Sequence, residues 1–190
     1  IAYCVGGSFA STVYGEARST RDIDILAAMQ ARHSAPFVTA LQPAFYVQRE
    51  DIDAAIRLAP ALRASAQQRA SFSMIHQASF FKVDVFVSSG RPFDLSQLAR
   101  AVALEVTPEQ SMTIASAEDT ILTKLEWYRM GNDVSDRQWR DVLSVLAAQQ
   151  DKLDYQYLNH WAAMLQIHDI LRRALGDDAP PASATQLPLF

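Results

Sequence analysis

One stretch near the start of the chain, Val5–Ala27, constrains the fold most, because a glycine-rich turn and a polar loop separate two apolar runs. The first run, Ile1–Val5, is too short and too apolar for an amphipathic helix, so it predicts a buried strand. A Gly-Gly-Ser turn follows, and a short helix is expected over Phe9–Tyr14. The second run predicts a strand over Asp22–Ala27. We therefore expect a strand–turn–helix–strand unit.

Two acidic residues of the second strand, Asp22 and Asp24, are separated by one residue, so both side chains project from the same face, about 6–7 Å apart at their Cα atoms. A third acid, Asp84, interrupts a later strand expected over Phe81–Val87. Carboxylates this close repel one another unless a cation lies between them, and oxygen ligands suit Mg²⁺ (or Mn²⁺), which often shares its site with phosphate. Three acids holding two metals can stabilise both oxygens of a phosphoryl displacement. The pattern therefore predicts a metal-dependent nucleotide site with these three ligands.

The Gly-Gly-Ser turn is the predicted phosphate-binding element. Gly6 and Gly7 let the backbone approach a phosphate closely, and Ser8 adds a hydroxyl at a helix N-terminus, where it is also a candidate N-cap. The alternative interpretation of the turn and the acids is a tight turn beside a strand edge that faces solvent.

Several cationic or polar residues are further candidates for phosphate binding. Arg18 and Thr20 lie in the loop before the acids, where they either contact a triphosphate or are simply solvated. Lys82 shares a strand face with Asp84, so it either binds phosphate or offsets the charge of that acid. Lys124 is expected either to reach into a cleft between two domains or to extend along the helix surface.

Two further charge pairs have helical spacing, Asp136 with Arg140 and Arg137 with Asp141. Pairs at i,i+4 are more often surface ion pairs, worth about 0.3–0.5 kcal/mol, than catalytic groups. We therefore interpret both as surface pairs.

The remaining pattern predicts an α+β domain over 1–115, a helical domain over 116–176, and a Pro/Ala/Ser-rich tail over 177–190. Further strands are expected over Phe45–Gln48, Phe72–His76, Ala103–Thr107 and Met112–Ala115. Further helices are expected over Ala35–Leu41, Asp51–Ala64, Leu95–Ala101, Ala117–Met130, Asp136–Gln149, Leu158–Leu165 and Ile167–Leu175.

Composition excludes some classes of protein. An apolar content of 49% and a charged content of 20% are ordinary for a globular chain, and the net charge of −4 disfavours a large nucleic-acid footprint. Cys4 has no second cysteine to pair with, which fits a reducing cytoplasm. No apolar run approaches the about 20 residues of a membrane-spanning helix, so no membrane partner is expected. Because the chain starts with Ile1 inside a strand, we expect upstream residues, including a helix over this strand.

The order of the glycine-rich turn and the acidic strands resembles the pattern of the DNA polymerase β-like nucleotidyltransferase superfamily. The resemblance rests on the Gly-Gly-Ser turn followed by Asp-Ile-Asp-Ile, and it extends to bacterial members related to the AbiEii-type toxins of abortive-infection and toxin–antitoxin systems. The other segments that carry it are Tyr14–Asp24, Lys82–Val87, Ala117–Leu125 and Asp136–Val142.

The resemblance implies a nucleotidyltransferase fold, a mixed sheet flanked by helices with a helical domain after it. It implies that Asp22 and Asp24 bind Mg²⁺, that Asp84 helps to ligate it and activates the acceptor hydroxyl, and that Gly7 and Ser8 hold the β- and γ-phosphates. The implied reaction transfers a nucleoside monophosphate from an NTP to a hydroxyl of RNA, protein or a small molecule, with release of pyrophosphate. The alternative is a non-catalytic nucleotide-binding or toxin–antitoxin interaction module with the same fold.

The tail ends in Gln186–Phe190, Gln-Leu-Pro-Leu-Phe. This pentapeptide resembles the short peptides with which bacterial polymerases and repair proteins dock on the sliding clamp. Clamp docking, or packing of the tail on its own domain, is therefore a further expectation.

Overall fold

The computed structural model describes residues 1–65 and 68–176. The strands are β1 (Tyr3–Val5), β2 (Asp22–Ala27), β3 (Phe45–Tyr46), β4 (Ser71–His76), β5 (Lys82–Val87), β6 (Val102–Thr107) and β7 (Gln110–Ile114). The helices are α1 (Gly7–Tyr14), α2 (Ala31–Leu41), α3 (Arg49–Leu58), α4 (Pro92–Arg100), α5 (Ala117–Met130), α6 (Asp136–Gln149), α7 (Tyr155–Met164) and α8 (His168–Leu175). Short 3₁₀ segments follow α3 and α6, at Ala59–Leu62 and Gln150–Lys152.

The strands of the described part form one seven-stranded sheet in the order β3-β4-β5-β2-β1-β7-β6. β2 pairs in parallel with β5, and β1 pairs in parallel with β7, whereas the other neighbouring strands are antiparallel. The mixed sheet and the helices around it confirm the predicted α+β class.

The central strands bury one face against α2 and α3. Alternate residues of β5, such as Val83 and Val85, form a hydrophobic core with residues of these helices, such as Val38 and Ile52. Because side chains alternate along a strand, the acids of β2 and β5 lie on the opposite face. The apolar core on one side therefore fixes the register that presents the acids on the other.

A second hydrophobic core lies among α5, α6, α7 and α8, with Leu122, Val142 and Leu158 fully buried. Phe93 of α4 belongs to this core, and Tyr14 of α1 packs against it. The helix after the Gly-Gly-Ser turn thus lies against α5 and α6 as well as β2. The division into domains at residue 116 stays a prediction.

The bounds of α5 and α6 are as predicted, whereas those of the other helices differ, most clearly for α2 and α3, which lie near prolines. Pro36 disfavours helix at the residue before it, yet α2 begins earlier than expected because Gln30 and His33 form a reciprocal capping box. Pro60 lies in the 3₁₀ segment after α3, so the longer helix predicted there ends sooner.

Two further expectations concern the C-terminal tail and the absence of a membrane-spanning helix. The tail with Gln186–Phe190 lies outside the described residues. Across residues 1–65 and 68–176, no helix combines the length and the apolar character needed to cross a membrane.

Candidate functional site

The three predicted acids lie together on one face of the sheet. In the parallel pairing of β2 with β5, Asp24 is directly opposite Asp84, and Asp22 is opposite Lys82. These four side chains share a face because each strand contributes residues two apart. The pairing brings together carboxylates that are sixty positions apart in the sequence.

Two of the three acids have neutral or cationic partners. The Thr20 hydroxyl donates to Asp22 Oδ1 (2.9 Å), so Thr20 positions this acid, and its predicted role in phosphate binding stays a prediction. Asp84 accepts hydrogen bonds from the Ser73 hydroxyl and from Lys82 Nζ (2.8 Å). Lys82 is about half exposed in this ion pair. It therefore offsets the charge of Asp84, one of the two roles expected of it.

Asp24 is the acid whose charge is least compensated. Burial raises the pKa of its carboxyl above the ordinary value, and the negative charges of Asp22 and Asp84 raise it further, whereas Lys124 and Lys82 lower it. Gly7 lies against this carboxylate, since a Cβ atom on Gly7 would be 1.9 Å from Asp24 Oδ2. Gly7 also has a φ of +59°. The site therefore requires glycine at this position for two reasons.

The donor set fits a hard divalent cation in its chemistry, because all three groups are carboxylates, and burial together with the charges of Asp22 and Asp84 raises the pKa of Asp24. However, no group of three or more His, Cys, Asp or Glu side chains in the described residues is arranged to hold a metal ion. Asp22 and Asp84 instead accept hydrogen bonds from Thr20, Ser73 and Lys82. Metal ligation by Asp22, Asp24 and Asp84 stays a prediction.

The Gly-Gly-Ser turn opens α1 directly beside the acids. Gly6 donates its N–H to the Asp24 carbonyl (2.8 Å), which fixes the turn to β2. α1 begins at Gly7, so Ser8 lies in its first turn and does not cap it, contrary to expectation, and no side chain caps this N-terminus. Backbone N–H groups at such a terminus favour anions.

Three cationic side chains converge on the Ser8 hydroxyl. The Arg18 and Arg137 guanidinium groups each donate to Ser8 Oγ at 2.9 Å, and Lys124 Nζ lies 3.5 Å from the same atom. A hydroxyl has only two lone pairs, so this single acceptor serves three donors. Such a cluster next to a helix N-terminus is suited to a group with several anionic oxygens.

Asp141 and Arg137 are site residues that sequence reasoning interpreted as a surface pair. Arg18 donates to both of its carboxylate oxygens (2.9 and 2.7 Å), and Lys124 donates to Oδ2 (2.8 Å). Although burial acts against its charge, these hydrogen bonds hold the pKa of Asp141 below its ordinary value. The interpretation of Asp141 and Arg137 as a surface ion pair is therefore wrong, because Asp141 is buried against Arg18 and Lys124.

Lys124 reaches inward rather than along the helix surface. It is only 4% exposed, and burial lowers its pKa below the ordinary value, an effect that the neighbouring Asp141 opposes. Asp141 therefore orients a buried ammonium group toward Ser8.

A cavity of about 430 Å³ is lined by residues of this cluster and by residues of α5. Its wall includes six of the predicted site residues, namely Gly6, Gly7, Ser8, Asp22, Asp24 and Lys124. Arg18, Thr20, Lys82 and Asp84 contact wall residues but are not part of the wall. The volume lies within the ~300–1,000 Å³ of small-molecule sites.

Neither the models of known protein families nor the curated proteins compared with this sequence give a match.

We expect Asp24→Asn to stabilise the protein by about 1 kcal/mol at pH 7, a size common for single stabilising substitutions. The pKa of Asp24 is higher in the folded protein than in the unfolded chain. As pH rises, the unfolded chain therefore loses the Asp24 proton first, and the free energy of unfolding falls between the two pKa values. The gain in the variant should therefore appear above about pH 4 and vanish near pH 3. Urea denaturation in metal-free buffer measures it.

Glu109→Gln is the control, because Glu109 is an exposed carboxylate at the turn between β6 and β7. The free energy of unfolding of the Glu109→Gln variant should match that of the wild type across the same pH range. A destabilised Asp24→Asn variant at pH 7 would contradict an uncompensated charge at Asp24.

Proposed function

We propose that this chain is a nucleotidyltransferase that moves a nucleoside monophosphate from an NTP to a hydroxyl group and releases pyrophosphate. The observation that carries the proposal is the convergence of Arg18, Arg137 and Lys124 on Ser8 Oγ, next to Gly7, which lies against the Asp24 carboxylate. A triphosphate offers several acceptor oxygens to these donors, whereas the Ser8 hydroxyl offers only one. The mixed sheet with its glycine-rich turn supports a nucleotidyltransferase fold.

In this proposal the β- and γ-phosphates lie on Gly7, Ser8 and the N-terminus of α1. Arg137 and Lys124 donate hydrogen bonds to them, and Asp141 holds Lys124 in place. The α-phosphate then lies at the acids. This placement orients the scissile bond before reaction, which is the main contribution a protein makes to phosphoryl transfer.

The acids act at the α-phosphate. A bound Mg²⁺, held by Asp22, Asp24 and Asp84, would neutralise the negative charge that develops on the phosphate oxygens. Asp84 accepts the proton of the acceptor hydroxyl. The hydroxyl oxygen then bonds to the α-phosphorus while the bond from the α-phosphorus to pyrophosphate breaks. Lys82 has to release Asp84 for this role, and its half-exposed side chain has room to do so. The acceptor is a hydroxyl of RNA, protein or a small molecule, in a cytoplasmic setting.

We expect Arg137→Gln to weaken binding of inorganic triphosphate by about tenfold or more, since it removes a charge-assisted donor from the phosphate cluster. Arg140→Gln is the matched control, because Arg140 is exposed on the same helix and bonds the Asp136 carbonyl instead. Calorimetric titration with Mg²⁺ present measures both. If the two variants bind inorganic triphosphate with equal affinity, Arg137 does not bind phosphate.

Asp24→Asn should abolish nucleotide transfer while the protein stays folded, because the acid at the centre of the cluster loses its charge. The assay incubates each protein with labelled NTPs, Mg²⁺, cell RNA and lysate, and follows both label transfer and pyrophosphate release. Glu109→Gln again serves as the control variant. Full transfer activity in Asp24→Asn would refute the mechanism.

A nucleotide-binding or toxin–antitoxin interaction module without turnover is the second candidate. The pairing of Asp84 with Lys82 and Ser73 favours it, and no group of carboxylates in the described residues has a metal-binding arrangement. NTP binding by the wild type with no pyrophosphate release across all acceptors would support this candidate over the first.

A further inference from the structure

An aromatic pair lines the cavity beyond the acids. Phe86 follows Asp84 by two residues on β5 and so lies on the same face of the sheet. Trp127 follows Lys124 by one helical turn on α5. The two ring centroids are 5.7 Å apart with the planes tilted by 60°, so the rings form a corner and do not stack on each other. Both residues are part of the cavity wall.

The charges around this aromatic corner are already paired. Glu126, next to Trp127 in sequence, accepts hydrogen bonds from both terminal nitrogens of Arg91 (2.6 and 2.8 Å) and from Arg69 (2.6 Å). Arg91 also bonds Asp94. Although burial opposes its charge, the hydrogen bonds from Arg91 and Arg69 hold the pKa of Glu126 below its ordinary value. Two guanidinium groups therefore match two carboxylates.

The two ends of the cavity differ in what they can bind. At the Ser8 end, three cations converge on one hydroxyl, and Asp141 pairs with only two of them, Arg18 and Lys124, which leaves an excess of positive charge for phosphates. At the aromatic end the cations are balanced, so an anion gains little there. Trp127 keeps 36% of its surface exposed despite its position on the cavity wall. This end is suited to a planar group without charge.

We propose that Phe86 and Trp127 form the subsite for the nucleobase of the NTP donor. The proposal rests on the function proposed above and adds the orientation of the substrate, with phosphates at Ser8, the α-phosphate at Asp24 and the base between α5 and β5. One continuous cavity of about 430 Å³ joins these positions, which is the size of a site for one small ligand. Base stacking on aromatic side chains tolerates any base, because each has a π-face.

The experiment compares paired variants that keep or lose the aromatic ring. Trp127→Leu and Phe86→Leu remove a ring but keep an apolar side chain, whereas Trp127→Phe and Phe86→Tyr keep one. Each is titrated by calorimetry, with Mg²⁺, against ATP, CTP and inorganic triphosphate. Phe80→Leu is the control, because Phe80 is 81% exposed elsewhere on the chain.

The leucine variants should bind ATP and CTP about tenfold more weakly than the wild type, while their affinity for inorganic triphosphate stays unchanged. The aromatic replacements and Phe80→Leu should bind all three ligands as the wild type does. Retained triphosphate binding also shows that the leucine variants are folded.

Three results would overturn the proposal. If the leucine variants bind NTPs as the wild type does, the base does not contact the aromatic corner, and the proposed function stands without this subsite. If they bind NTPs normally but need more acceptor for half-maximal transfer, the corner serves the acceptor instead. If the wild type binds neither triphosphate nor NTP, the proposed function fails together with the subsite.

Discussion

The Asp24 carboxylate is partly buried between two other carboxylates and against the backbone of Gly7, and the rest of the site depends on this placement. The apolar core under β2 and β5 fixes the strand register, and this register places Asp24 directly opposite Asp84. Only glycine fits beside it. The fold therefore holds a charge where burial and repulsion disfavour it, which is typical of functional sites.

The Ser8 end of the cavity has the opposite imbalance of charge. Arg18, Lys124 and Arg137 meet at one hydroxyl, and Asp141 neutralises only part of their charge. Excess negative charge at the acids and excess positive charge at Ser8 are adjacent, so a metal–triphosphate complex would relieve both at once. Farther along the cavity, Arg69 and Arg91 are balanced by their own carboxylates. The two ends of the cavity therefore differ in net charge.

Local rules predicted much of this arrangement. Period-two alternation placed Asp22 with Asp24 on one face of the second strand and Lys82 with Asp84 on one face of a later strand, and the bounds predicted for α5 and α6 are those observed. The role of Asp141 could not be predicted, because its partner Arg18 lies 123 positions away and such a contact leaves no periodic signal. Spacing suggested a pair with Arg137, but tertiary packing turned the two side chains to different partners.

The most direct test is a crystal structure of the protein soaked with Mn²⁺ and a non-hydrolysable NTP. The expected result is an anomalous peak bounded by the Asp22 and Asp24 carboxylates, with the triphosphate on Ser8 and Arg137 and with Lys82 withdrawn from Asp84. Density for the triphosphate away from Ser8, or full occupancy of the nucleotide with no metal at the carboxylates, would contradict a metal-dependent transferase site.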